Sequence, residues 1–258
     1  MSLPRAFGTD PVPRGHNDRV TTMPGVTARR ALVVDDERAL ADVVRSYLVR
    51  DGFEVETAHD GETALAVART LDPDVVILDL GLPGIDGIEV CRALRTFSDC
   101  YVVMLTARAE EVDVLVGMSV GADDYITKPF SPRQLVARIH AMFRRPRAKP
   151  AAPEPVEPPL VIGDLSIDVA GREVALAGEP VPLTRTEFDL LVALAQRPHA
   201  VMSRTSLIET VWGANWVGDE HLVDVHILHV RQKLGDSATE QRYVRTVRGV
   251  GYRIGTGA

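Results

Sequence analysis

The sequence predicts an α/β protein, built as a five-stranded doubly wound parallel sheet followed by a smaller α+β unit. Residues 31–145 alternate short apolar runs with amphipathic stretches. Residues 146–159 contain six prolines, a density that neither a helix nor a strand ladder tolerates. Beyond residue 160 the rhythm changes to short alternating strands, hairpin turns and capped helices. Strands that alternate with helices bury a parallel sheet on both faces, so the first part is read as doubly wound.

Composition narrows the function classes. The 258 residues are 45% hydrophobic and 25% charged, which suits a folded chain with room for two units. Aromatic residues are only 5%, so the core must be aliphatic. A net charge of −7 excludes a globally basic nucleic-acid binder, though not a local basic patch. Cys91 and Cys100 lack the neighbours of a zinc site and are too few for a disulfide framework. No apolar run approaches the ~18 residues needed to span a bilayer. A reduced, cytoplasmic protein without a membrane partner is expected.

The elements follow in order. Residues 1–28 carry Pro4, Pro11, Pro13 and Pro24 and no apolar signal-peptide core. They read as a disordered leader, with Met23 as an alternative start. Apolar runs at 31–34, 53–57, 75–80, 101–105 and 125–127 read as strands. The stretch 37–50 places Leu40, Val43, Val44, Tyr47 and Leu48 on one helical face, and Gly52 stops it. Similar stretches run over 61–71, 86–95, 110–120 and 132–145, the last with Leu135, Ile139, Met142 and Phe143 on one side. These give a first domain over 29–145 and a semi-stiff linker over 146–159. In the remaining domain, 160–258, two strand runs (160–169 and 173–177) flank a turn at Ala170-Gly171. Thr184 and Glu187 fit a capping box that opens a helix to 196. Helices over 203–212 and 219–234 follow, the second with Val223, Ile227, Val230 and Leu234 on its apolar face. A hairpin over 243–254 closes the chain, with Gly249 and Gly251 at its tip.

Polar residues gather at the carboxyl ends of the predicted parallel strands, where ligands of such sheets bind. Asp35, Asp36 and Glu37 follow the first strand, Asp79 ends the third, Thr106 the fourth and Lys128 the fifth. One strand-end aspartate alone is more often a turn or cap. Clustered carboxylates repel one another and call for a cation, and oxygen ligands suit Mg²⁺ better than zinc. His226 and His229, three residues apart, offer imidazoles but no further metal ligand in sequence.

The runs Ala31–Glu37, Asp74–Gly84, Leu105–Ala107 and Gly121–Phe130 resemble the receiver domain of bacterial two-component response regulators. The C-terminal pattern resembles the winged-helix output domain of their OmpR/PhoB subfamily. The resemblance implies a CheY-like receiver with Asp79 as phosphoacceptor. It implies Mg²⁺ or Mn²⁺ held by Asp36, Asp79 and the Gly81 carbonyl, with Asp35 acting through water. Thr106 and Lys128 would grip phosphoryl oxygens, Tyr125 would be the switch residue, and Lys128-Pro129 would be cis. The donor would be a sensor histidine kinase, and phosphorylation would favour a homodimer that binds tandem sites on double-stranded DNA and meets RNA polymerase. Asp124, Arg138 and Arg145 match the ion-paired positions of the dimer face, with Leu115, Met118 and Val136 at its apolar centre. The 219–234 helix would enter DNA with His226, His229 and Arg231 outward. Trp212 and Thr246 match backbone-contact positions, and Arg248 the minor-groove position.

Some residues depart from the family pattern. Gly81 stands where many receivers carry a larger side chain, which leaves phosphoryl lifetime to Arg108. His221, Leu228 and His229 replace frequent arginines, which predicts weak binding of a monomer to DNA. Two other readings stay open: an aspartate-nucleophile phosphatase, which usually has a second acid where this chain has Gly81, and a phosphorylation-independent DNA-binding protein.

Overall fold

The computed structural model describes residues 28–106, 120–143, 158–214, 216 and 218–258. The leader to residue 27, the 110–119 part of the fourth amphipathic stretch and residues 144–157 lie outside that set. β1 (Arg30–Val34), β2 (Glu54–Ala58), β3 (Val75–Asp79), β4 (Tyr101–Thr106) and β5 (Asp124–Thr127) form one parallel sheet in the order β2-β1-β3-β4-β5. Every residue of β3 and β4 is buried, because helices cover both faces, whereas edge strand β2 alternates.

Register decides where the polar residues fall. Ile77 pairs with Val33 and Val103, Asp79 with Leu105, and Thr106 with Thr127, so the strand ends share one edge. Local chemistry starts two of the helices. Asp60 accepts the Thr63 N–H at the head of Gly61–Leu71, and Asp86 accepts the Glu89 N–H at the head of Gly87–Leu94. The Arg38–Arg50 and Pro132–Phe143 helices pack on one face of the sheet, around Val44, Leu48, Leu135 and Ile139. The apolar cluster on the opposite face is continuous with the core of the second unit.

That unit begins with a four-stranded antiparallel sheet: β6 (Leu160–Ile162), β7 (Leu165–Asp168), β8 (Glu173–Leu176) and β9 (Glu179–Pro180). The expected single strand over 160–169 is thus broken, because Gly163 turns the chain at φ +63° and lies against the Gly257 backbone. Three helices follow, Arg185–Ala195, Arg204–Val211 and His221–Lys233. The capping box at Thr184 forms in both directions. β11 (Val244–Val247) and β12 (Gly251–Ile254) make the expected hairpin, and β10 (Met202–Ser203), too short to read from sequence, pairs with β12.

Candidate functional site

Asp35, Asp36 and Asp79 each place a carboxylate oxygen within 4.8 Å of the others. Asp35 and Asp79 are buried at the ends of β1 and β3, and Asp36 is exposed. The Asp35 carboxylate also accepts the Glu37 N–H, which fixes its orientation. Lys128 Nζ bridges two of the three acids, 2.8 Å from Asp35 and 3.0 Å from Asp79. Burial raises the Asp79 carboxyl pKa, opposed by Lys128 and by the Gly81 N–H. Burial acts against the Lys128 ammonium, yet the hydrogen bonds and charges of Asp35 and Asp79 prevail and raise its pKa. The set is a hard-oxygen cage with one cation at its rim, chemistry that fits Mg²⁺ or Mn²⁺ and a phosphoryl anion. Thr106 is buried at the neighbouring strand end, and Lys128-Pro129 is cis.

Tyr125 is half-buried, and burial together with the negative charge of Asp219 raises its phenol pKa. Asp219 belongs to the second unit, so the expected switch residue lies where the two units meet. The same holds for Asp124 and Arg138, two residues of the expected dimer face. Asp124 is fully buried, receiving Arg138 Nη1 at 3.0 Å and the Trp216 indole N–H at 3.3 Å. Arg138 also stacks 5.0 Å over the Trp216 ring. Val136 is half-buried against the receiver core. Leu115, Met118, Arg145 and Arg108 lie outside the described residues.

The junction has a second set of contacts, which sequence reasoning missed. Asp123 is buried and takes Arg95 Nη2 at 2.7 Å, the Val102 N–H at 2.9 Å and the Thr186 hydroxyl at 2.8 Å. His226 Nε2 lies 3.2 Å from the Asp123 carbonyl. Arg185 reaches Asp99 and stacks over Tyr101. A groove of about 620 Å³ runs beside these contacts, with Arg95, Gly121, Glu187 and Lys233 in its walls. Asp123 stood in the run 121–130, but its sequence position gives no sign of a partner more than sixty residues away.

The outward placement expected for three DNA residues is corrected. His226, His229 and Arg231 are 1%, 5% and 6% exposed. Arg231 turns inward because its guanidinium donates to the Val244 carbonyl and to Thr246 Oγ1. His226 is covered by Trp212 and Asp123, and His229 faces Glu187 of the neighbouring helix. Burial and Lys233 lower the His229 pKa against the pull of Glu187. The exposed face of the His221–Lys233 helix instead presents His221, Leu228 and Gln232. Val223, Ile227, Val230 and Leu234 face the core, as the periodicity predicts. Trp212 is buried, Thr246 is half-buried and Arg248 is exposed beside Gly249 at the hairpin tip.

Comparison with known proteins accounts for both units. Residues 31–140 match the model of the response regulator receiver domain, and residues 178–254 that of the transcriptional regulatory protein C terminal. DNA-binding response regulator MtrA of Mycolicibacterium smegmatis is 47% identical over 227 residues, covering 88% of this chain and 97% of that protein. The alkaline phosphatase synthesis transcriptional regulatory protein PhoP of Bacillus subtilis is 42% identical over 233 residues, covering 88% and 96%. A solved structure of a RitR mutant is 29% identical, covers 89% of this chain and all of that one, and superposes with a TM-score of 0.71.

Proposed function

The chain belongs to the OmpR/PhoB-type two-component response regulators, and we propose that Asp79 is its phosphoacceptor. As a member of that family it is a DNA-binding regulator paired with a sensor histidine kinase rather than a catalyst of its own metabolic reaction. No helix among the described residues is long and apolar enough to cross a membrane.

In the proposed reaction an Asp79 carboxylate oxygen attacks the phosphorus of a phosphohistidine. The new O–P bond forms as the N–P bond breaks, and the imidazole leaves with the electron pair. Asp35, Asp36, Asp79 and the Gly81 carbonyl would hold Mg²⁺ or Mn²⁺, which supplies positive charge beside the phosphoryl oxygens when bound. Lys128 orients Asp79 beforehand and afterwards grips one phosphoryl oxygen, with Thr106 donating to another. The bridge from Lys128 to Asp35 and Asp79 carries this reading, because it sets a cation where the phosphoryl charge arrives. A phosphoryl group adds a charge near −2. Lys128 and Thr106 move toward it, and Tyr125, beside Asp219, transmits the change to the junction between the units.

The junction between the units also withholds part of the proposed dimer face. Asp124 and Arg138, residues of the proposed dimer face, are engaged by Trp216 of the output domain. Closure within one chain and pairing of two receivers therefore compete for the same residues. A near-complete shift between the two needs roughly 5.5 kcal/mol of differential stabilisation. Freed, the output domain would place the His221–Lys233 helix in the major groove and Arg248 in the minor groove. Acetyl phosphate labelling of the wild type and of Asp79→Asn, followed by footprinting on promoter DNA, tests the reading. Labelling that survives Asp79→Asn, or footprints indifferent to labelling, would overturn it.

A further inference from the structure

We infer that Glu187, His226 and His229 form a site for a divalent transition-metal ion, with zinc as the reference ion, at the joint between the receiver and output domains. All three side chains are buried, and each offers a ligand atom within 4.8 Å of the other two. The two histidines come from one turn of the His221–Lys233 helix, and the carboxylate comes from the helix Arg185–Ala195 packed against it. Sequence spacing supplied only the imidazole pair. The fold supplies the third ligand.

The orientation of each group suits ligation. His226 Nε2 lies 3.2 Å from the Asp123 carbonyl, a backbone group that holds the imidazole in place beside Glu187 and His229. Glu187 spends Oε2 on the Thr184 N–H and on Lys233 Nζ, which leaves Oε1 turned toward His229 Nδ1 at 3.9 Å. Ligands of a tetrahedral shell at ~2.0 Å from zinc are ~3.3 Å apart, so rotations of the three side chains must close the present spacing by up to ~1.5 Å. Glu187 also lines the interdomain groove, which gives an ion a path from solvent. Three protein ligands leave one position for water or an outside ligand.

Charge and softness select the ion. Glu187 and Asp123 are opposed nearby by Lys233 and Arg95, so the site carries little net negative charge to attract a hard cation. Two imidazoles favour zinc, nickel, cobalt or copper over magnesium or calcium. This separates the site from the aspartate cage around Asp79, which has only oxygen donors.

The test uses the full-length chain, stripped with chelator and kept in excess Mg²⁺ to fill the aspartate cage. Titration with Zn²⁺ by calorimetry should show one equivalent bound. His229→Gln should weaken that binding at least tenfold, and His226→Gln likewise. Asp36→Asn should leave it unchanged. X-ray absorption of the wild-type zinc complex, which needs no variant to fold, should show two imidazoles with oxygen ligands. No stoichiometric binding, an all-oxygen shell, or binding unaffected in both histidine variants would each overturn the inference.

Discussion

The Thr186 hydroxyl donates to Asp123 Oδ1 across the domain boundary at 2.8 Å, and both residues are buried. Asp123 is held from its own domain by Arg95 and the Val102 N–H. The acceptor is therefore rigid before Thr186 arrives, and little further ordering opposes the contact. A hydrogen bond to an ionised group contributes about 1.5–3 kcal/mol net, so this one contact holds a sizeable share of the closure between domains.

Thr186→Val keeps the β-branched shape and removes the donor. It should shift the balance toward the open arrangement by about tenfold or more, from ~1.5 kcal/mol or more of lost hydrogen bonding. Small-angle scattering of the unphosphorylated protein should then report a larger radius of gyration. An unchanged radius would show that Asp123 is not a latch.

Trp216→Ala removes the indole donor to Asp124 and the ring beneath Arg138. A neutral donor to a carboxylate and a cation–π contact together contribute ~1–3 kcal/mol. The dimer constant of the phosphorylated protein should rise about fivefold or more by sedimentation equilibrium. A weaker dimer would mean that Trp216 supports pairing rather than competing with it.

Strand ends were legible because a parallel sheet converts sequence position into spatial position. Asp35, Asp79, Thr106 and Lys128 needed only the order of the strands. The partnership of Asp123 with Thr186 was not legible, since no periodicity relates side chains of two separately patterned units. The His221–Lys233 helix misled for a different reason. Its apolar stripe of Val223, Ile227 and Val230 was plain, but a second side is also buried, by Glu187 and by the receiver. The resemblance to the family turned His226, His229 and Arg231 toward DNA, and it carries no sign of the contacts with Asp123, Glu187 and Val244 that bury them in this chain.

Asp236 gives a pH-dependent prediction. It is buried after the helix ends and accepts the N–H groups of Ser237, Arg242, Tyr243 and Val244. Burial disfavours its charge, yet these donors prevail and lower its pKa. A carboxyl with a depressed folded pKa contributes stability that is fully present above its unfolded value, ~3.9, and is lost as pH falls through the folded value. Asp236→Asn should lower the melting temperature at pH 7, and its deficit should shrink below pH 4. A deficit that stays constant from pH 7 to pH 3 would count against the charge as the cause.

Gly87 links the fold directly to Asp79, the proposed phosphoacceptor. It opens the Gly87–Leu94 helix, and a Cβ there would fall inside the van der Waals shell of the Asp79 carbonyl oxygen and the Leu80 Cα. The obstruction is backbone, so no side-chain rotation relieves it. In Gly87→Ala either the helix start or the end of β3 must move. Overpacking of this kind costs about 1–3 kcal/mol. Because Asp79 is the last residue of β3, displacement at its carbonyl also carries its carboxylate away from Lys128. Acetyl phosphate labelling should therefore fall at least tenfold even at temperatures where circular dichroism shows the variant folded. A variant destabilised but labelled at the wild-type rate would show that the helix yields and the strand end does not.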